Sequence, residues 1–171
     1  MSIKDIGLEK GEWIVHPKHG VGQITSLEKK TVGGENQPYI HVEGSKYDWW
    51  IAIDQIKDTP IRPLRKPATF KRALRLLRDS PEDLPSGHKD RRRYIRGVLS
   101  SGSPAALCRV IRDLSALNRE RGLPDEDRRH LNKYRDALVQ EWRLTLDVSE
   151  SKAVEQLNDY LAEGWADAND E

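Results

Sequence analysis

The sequence predicts an α+β protein, a small N-terminal β-barrel followed by a compact bundle of about five helices. Three observations predict it. Residues 10–61 carry short runs of alternating polarity broken by Gly and Pro, the pattern of strands and tight turns. Pro60, Pro63 and Pro67 then punctuate the chain, and beyond them the apolar period becomes that of helices. The 171 residues accordingly divide into a β domain over 1–62 and a helical domain over 63–171, each able to hold one modest core.

The first half opens with Glu12-Trp-Ile-Val-His16, where Trp13 and Val15 alternate with Glu12, Ile14 and His16. Pro17 ends that run because it has no N–H to give to a ladder. Gly20 suits a turn conformation that a Cβ would obstruct, and Gly22 allows the next strand to bend or to approach another backbone. Further strands are expected over 20–29, 38–43 and 47–53, with a short fifth near 56–61. Gly33-Gly34 and Gly44-Ser45 mark the connections. Four or five short strands in about fifty residues suit a small closed barrel, which leaves no unpaired edge. Trp49-Trp50 is the heaviest element here, and strand alternation sends one tryptophan inward and the other outward. The outward one either anchors a protein contact or covers the barrel end or the other domain.

In the second half, Phe70, Leu74 and Leu77 make an i, i+4, i+7 stripe over 68–78. Pro81 and Pro85 break the chain. A helix over 88–100 follows, with Tyr94, Ile95, Val98 and Leu99 on one side. Ser103-Pro104 is an N-cap with proline at the first helical position, and Gly122 is the matching stop. Leu107, Val110, Ile111, Leu114 and Leu117 line the helix between them. Asp125-Glu126-Asp127 places acids at the next helix start, where the macrodipole favours them, and that helix buries Leu131, Tyr134, Leu138, Trp142 and Leu146. Ser149 caps a last helix carrying Val154, Leu157 and Leu161, with Trp165 a further candidate. The final residues, 166–171, are expected to fray.

Composition narrows the function. Hydrophobic residues make up 36% and charged residues 33%, enough apolar material for two small cores. Cys108 is the single cysteine, which excludes an internal disulfide and fits a reducing cytoplasm. No apolar run approaches the ~20 residues of a membrane span, and the N-terminus lacks the basic-then-apolar pattern of a secretory signal. The net charge of +1 hides a local imbalance. Residues 62–96 carry +8, between −2 over 1–61 and −5 over 97–171. A basic block between acidic ones points to a polyanion partner.

At about 100° per residue, Lys89, Arg92, Arg93 and Arg96 fall together on the side of the 88–100 helix away from its apolar residues. Arg91 lies nearer the apolar face at the helix start. Lys71, Arg75 and Arg78 form a stripe on the preceding helix. A charged stripe usually marks a solvated face, but such faces intersperse acids, and here only Asp90 is close. Phosphate contact by Lys89, Arg91, Arg92, Arg93 and Arg96 is therefore expected, through backbone rather than base edges. Other motifs carry less. His16 and His19 have no second His/Cys pair, so no metal site is predicted. Gly20-Val-Gly22 opens no helix and is not a dinucleotide fingerprint. No nucleophile–base pair appears, so the sequence predicts neither catalysis nor a cofactor. Cys108 lies on an apolar stripe, where it packs as a core residue.

The order Gly11, Ile14-Val15, His16-Pro17-Lys18-His19-Gly20-Val21-Gly22 resembles the opening of the CarD/CdnL family of bacterial RNA polymerase-binding transcription regulators. Tyr39, Arg92-Arg93-Tyr94, Ile111-Arg112-Asp113-Leu114 and Arg119-Glu120-Arg121-Gly122-Leu123 extend the likeness from Gly11 to Trp165. The resemblance implies a Tudor-like N-terminal barrel, shared with the transcription-repair coupling factor, that binds the β-subunit lobe of RNA polymerase. It also implies a helical domain on promoter DNA at the upstream edge of the transcription bubble, stabilising the open complex. For polymerase contact the matching positions are Lys30 and Trp50, the latter where many members place a basic residue, with Trp49 beside it. Typical members carry a tryptophan wedge just before Arg-Arg-Tyr, and here Asp90 stands at that position. An aspartate cannot replace an apolar wedge. The alternative is thus a polymerase-bound adaptor without productive DNA wedging. A cytoplasmic monomer, nucleoid-associated through polymerase, is expected.

Overall fold

The structure, a computed structural model, describes residues 2–170. It has an α+β architecture in two compact units that meet in the chain between Leu64 and Arg65. In the first unit β1 (Trp13–His16), β2 (Gly20–Val32), β3 (Glu35–Gly44) and β4 (Asp48–Ala52) form an antiparallel meander, and β5 (Arg62–Pro63) pairs with β1. The strand order is β4-β3-β2-β1-β5. The expected barrel is an open sheet, with β4 and β5 as its edges among the described residues. β5 has only two residues, and its Pro63 has no N–H with which to carry the ladder onward. The strand expected near 56–61 is absent because the chain coils there. The Thr59 amide and hydroxyl both donate to the Gln55 carbonyl, at 3.0 and 2.8 Å.

Gly33-Gly34 makes a tight two-residue hairpin. Both have positive φ, 62° and 86°, and Val32 pairs with Glu35 directly across them. That turn lets β2 and β3 run longer than alternation alone suggested. The Pro17–Gly22 segment has a different purpose. His16 Nδ1 accepts the backbone N–H groups of Lys18 and His19 at 3.0 and 3.2 Å, closing the turn, and Gly20 takes φ 77°. The His16 and His19 rings then lie 5.2 and 5.0 Å from the ring of buried Trp49. Gly22 is required on packing grounds, since a Cβ there would stand 2.4 Å from Val42 Cγ1 and 3.0 Å from the Trp49 ring. Ile14, Ile24, Ile40, Val42 and Ile51 complete the core, leaving Trp13 on the exposed side of β1.

The second unit comprises α1 (Pro67–Leu74), continued by a 3-10 turn (Arg75–Arg78), then α2 (His88–Leu99), α3 (Pro104–Arg121), α4 (Asp125–Leu146) and α5 (Glu150–Asn169). The helix starts follow the expected caps: Ser103 accepts from the Ala106 amide and Ser149 from the Lys152 amide. Gly122, at φ 78°, ends α3. Trp142 is the centre of the core, 6.4 Å from Phe70 and 5.7 Å from Tyr160. Cys108 is fully buried, and burial pushes its thiol pKa up, so it remains protonated and inert. Two apolar assignments shift. Tyr94 is 46% exposed, because among the apolar residues of α2 only Ile95 is fully buried, and Val154 is exposed while Ala153 takes its core position. α5 stays helical through Asn169, past the point where fraying was expected.

Gly164 lets α5 sit against the 3-10 turn that follows α1. A Cβ on Gly164 would meet the carbonyl oxygens of Asp79 and Arg78 at 2.6 and 3.2 Å. Backbone cannot move aside as a side chain can, so Gly164→Ala should destabilise the protein by about 1–3 kcal/mol in urea unfolding. Gly97 on α2 has open space around its Cβ position. Gly97→Ala should stabilise by about 0.5–1 kcal/mol in the same assay, since only helix propensity changes.

Candidate functional site

The outward face of the sheet owes its composition to one bulge. Ile24 pairs with Val42 but Ser26 pairs with His41, so Thr25 is an extra residue in β2. Before the bulge Gly22 and Ile24 face the core; after it Leu27 does, and Glu28 and Lys30 turn outward. His41 on β3 and Trp50 on β4 are cross-strand partners on that outward face. The four side chains meet. Lys30 Nζ lies 3.2 Å from the Trp50 ring centroid, and the His41 ring stacks on Trp50 at 4.8 Å with planes 8° apart. The Trp50 indole N–H donates to Glu28 Oε2 at 2.9 Å, a bond that is the main cause holding the Glu28 carboxyl below its ordinary pKa. His41 is braced by Glu28 at 3.2 Å, Asp48 at 2.8 Å and the Thr25 hydroxyl at 3.0 Å. Trp50 is thereby fixed in orientation while 39% exposed. Lys30 and Trp50, named separately from the sequence, form one unit. Trp49 does not join them: at 4% exposure it belongs to the core, as strand alternation requires of one of the pair. Glu28 and His41 were not among the residues expected here, although the three-residue step from Ile24 to Leu27 breaks the two-residue period and betrays the bulge.

On α2 the five expected phosphate-binding residues have different fates. Arg91 is 3% exposed, with its Nε and Nη2 on Asp127 Oδ2 at 3.0 and 2.5 Å and its Nη1 on the carbonyls of Pro85 and Ser86 at 3.2 and 3.1 Å. It is an internal tie and is not placed to reach DNA, which corrects its assignment as a contact. Arg92 Nε donates to Asp127 Oδ1 at 2.9 Å and its Nη1 pairs with Glu126 at 2.9 Å. The stripe therefore does have acids, supplied by the start of α4 rather than by α2 itself. Lys89, Arg93 and Arg96 are exposed, Arg93 only loosely paired with Asp90 at 3.9 Å. Arg78, on the neighbouring stripe, is engaged with Glu163 at 3.1 Å and lies 3.9 Å from the Tyr160 ring centroid.

Two sequence motifs acquire a structural cause. Arg112 Nε donates to the neighbouring Asp113 carboxylate at 2.7 Å in a buried pair, and the same carboxylate accepts the Glu82 amide at 2.9 Å. The Pro81–Pro85 connection is thus tied to α3. Arg119 covers the Trp165 ring at 4.5 Å, joining the end of α3 to α5.

These features define a two-part protein with a braced aromatic–cationic face on a sheet and a cationic helix face on a bundle. Among the described residues no group of three or more His, Cys, Asp or Glu could hold a metal, and no helix is long and apolar enough to cross a membrane. Residues 8–64 match the CarD-like/TRCF RID domain, and residues 72–158 match the CarD C-terminal domain. A Bacillus subtilis (strain 168) protein named "Putative transcription factor YdeB" is 24% identical over 144 residues, covering 83% of this chain and 94% of that protein. The chain belongs to the CarD family of transcription regulators.

The Asp127 geometry has a direct consequence for stability. Burial alone would raise its pKa, but hydrogen bonds from Arg91 and Arg92 outweigh that and hold it below the ordinary 3.8. A depressed carboxyl stabilises the fold fully above its unfolded pKa, and the contribution disappears as pH falls through the lower folded value. Asp127→Ala leaves Arg91 buried without its counter-charge and should cost about 3–5 kcal/mol at neutral pH. Urea unfolding at pH 7 and at pH 3 checks both statements: the gap between wild type and variant should narrow at the lower pH.

Proposed function

We propose that the chain binds the β-subunit lobe of RNA polymerase through the outward face of its sheet. Its exposed α2 cations meet promoter DNA, and together the two contacts modulate open-complex stability at initiation. Membership of the CarD family supports the pairing of these two partners. The observation that carries it furthest is the Lys30–Trp50 unit. A partly exposed tryptophan, already fixed by Glu28 and His41, loses little freedom on docking, and such aromatics dominate protein interfaces. On α2, Lys89, Arg93 and Arg96 offer charge without base-reading geometry, which suits phosphate contact.

A second reading, a polymerase-bound adaptor that does not wedge DNA, is favoured by Asp90. It is 72% exposed near the start of α2, where a wedge would be apolar, and Arg91 and Arg92 beside it are already engaged by Asp127.

Pull-down with the purified β-subunit lobe should retain the wild-type chain. Lys30→Glu and Trp50→Ala should each weaken that association about tenfold or more; no retention of wild type would sink the polymerase reading. DNA binding measured against salt separates the two readings. Phosphate contact predicts a steep fall of affinity with salt, and the Lys89→Ala/Arg93→Ala/Arg96→Ala variant should flatten log K against log salt by about 0.9 per lost contact. An adaptor shows neither effect. Asp90→Trp should lengthen the open-complex lifetime if residue 90 occupies the wedge position, and an unchanged lifetime would place the wedge elsewhere.

A further inference from the structure

We infer that Glu126 is an internal competitor for DNA phosphate: it occupies one edge of the Arg92 guanidinium and so sets how strongly α2 grips a nucleic-acid backbone. This rests on the DNA half of the proposed function.

The two acids that hold Arg92 are unequal. Asp127 is 3% exposed, takes the Arg92 Nε and is itself fixed by Arg91, so it does not leave. Glu126 takes Nη1 but is 49% exposed, and Arg92 is 27% exposed. An exposed ion pair of this kind is weak in water and yields readily to a second anion. Asp127 therefore aims the guanidinium, while Glu126 merely fills its outer edge. A cleft of about 320 Å³ beside the pair, bounded by Arg92, Arg96, Glu126, His130 and Tyr134 over Ile95, gives an anion access to that edge. Arg96 stands on the same rim, so a phosphate that displaces Glu126 meets two guanidinium groups rather than one. Arginine suits the exchange, because its planar fork can keep one bond to Asp127 while offering the remaining donors to phosphate.

Glu126 thereby lowers the polyanion affinity to be expected of a segment of +8. Each phosphate contact by Arg92 requires a carboxylate to be released and rehydrated, which lowers both affinity and its salt dependence.

The test uses the full chain, a duplex containing a pre-melted segment, and fluorescence anisotropy over a range of salt. Glu126→Gln keeps the side-chain shape and removes the charge. It should tighten binding about two- to five-fold at low salt, the range set by the worth of an exposed pair, and steepen the salt slope by up to about 0.9. In an Arg92→Ala background the same change should give no more than the small gain of a lost surface charge, because the competitor has lost its target. Asp125→Asn, one residue earlier and paired with Arg128 instead, should give a smaller gain. Equal tightening with Arg92 absent, or from Asp125→Asn, would mean that net charge alone is responsible and would overturn the inference. Wild-type binding left unchanged by Glu126→Gln overturns it alone, whereas no DNA binding by any variant overturns the DNA reading as well. Thermal unfolding of each variant establishes that the fold is intact.

Discussion

The buried carboxylate of Asp127 is the contact on which the helical unit depends. It lies at the first turn of α4 and receives donors from two successive arginines of α2, one on each oxygen. An ionised carboxylate removed from water is sustained only by such paired, hydrogen-bonded charge. Arg91 then reaches back to the Pro85 and Ser86 carbonyls, so a single guanidinium joins α4, α2 and the connection that precedes α2. That connection is held at its other end by the Asp113 carboxylate on α3. A proline-rich segment that could wander is thus clamped at both ends by charge, and the start of α2 is set in place with its remaining cations facing out.

The sheet solves an equivalent problem by register. Its core needs Ile24 and Leu27 inside, three residues apart, and only an extra residue in β2 allows both. Thr25 supplies it, and its hydroxyl steadies His41 across the bulge. The same half-turn that satisfies the core sends Glu28 and Lys30 to the outer face, where Trp50 waits on β4. The Trp49 side is fixed by the turn motif, whose histidine rings and Gly22 form the surface on which the inward tryptophan packs. Core and candidate contact face are therefore consequences of one local irregularity.

Much of this was legible in the chain. Helix limits follow Ser103-Pro104, Gly122 and Ser149 closely because caps are local chemistry, and the stripes of Phe70, Leu74 and Leu77 or Val110, Ile111 and Leu114 are buried as their spacing demands. The opening motif identified the family. What failed to show was whatever depends on residues far apart in sequence. Helical angles place Arg91 and Arg92 beside a basic stripe, but nothing in α2 announces that Asp127, 36 residues beyond Arg91, will neutralise them. Closure of a barrel likewise depends on edge pairing that periodicity does not encode. The role of Glu28 and His41 was hidden because the bulge shifts facing by one residue, and only the Ile24–Leu27 step recorded it.

Both candidate surfaces present cations that are already partnered, and this decides how they could bind. A free lysine or arginine loses rotamer freedom when it docks, whereas Lys30 over Trp50 and Arg92 on Asp127 have lost most of it on folding. Such groups gain specificity of position at the expense of charge, since each must share its field with an acid or a ring. The difference lies in what must be given up. Lys30 can keep its contact with Trp50 while meeting a partner, so the pair acts as a ready-made anchor. Arg92 can meet phosphate fully only by exchanging Glu126, so its contribution depends on how strongly the incoming anion competes. Lys89, Arg93 and Arg96 lack buried partners, so in the proposed DNA contact they would meet any polyanion alike. If the proposed DNA contact holds, selectivity for one nucleic-acid geometry over another would come from the residue whose engagement is conditional, and on α2 that residue is Arg92.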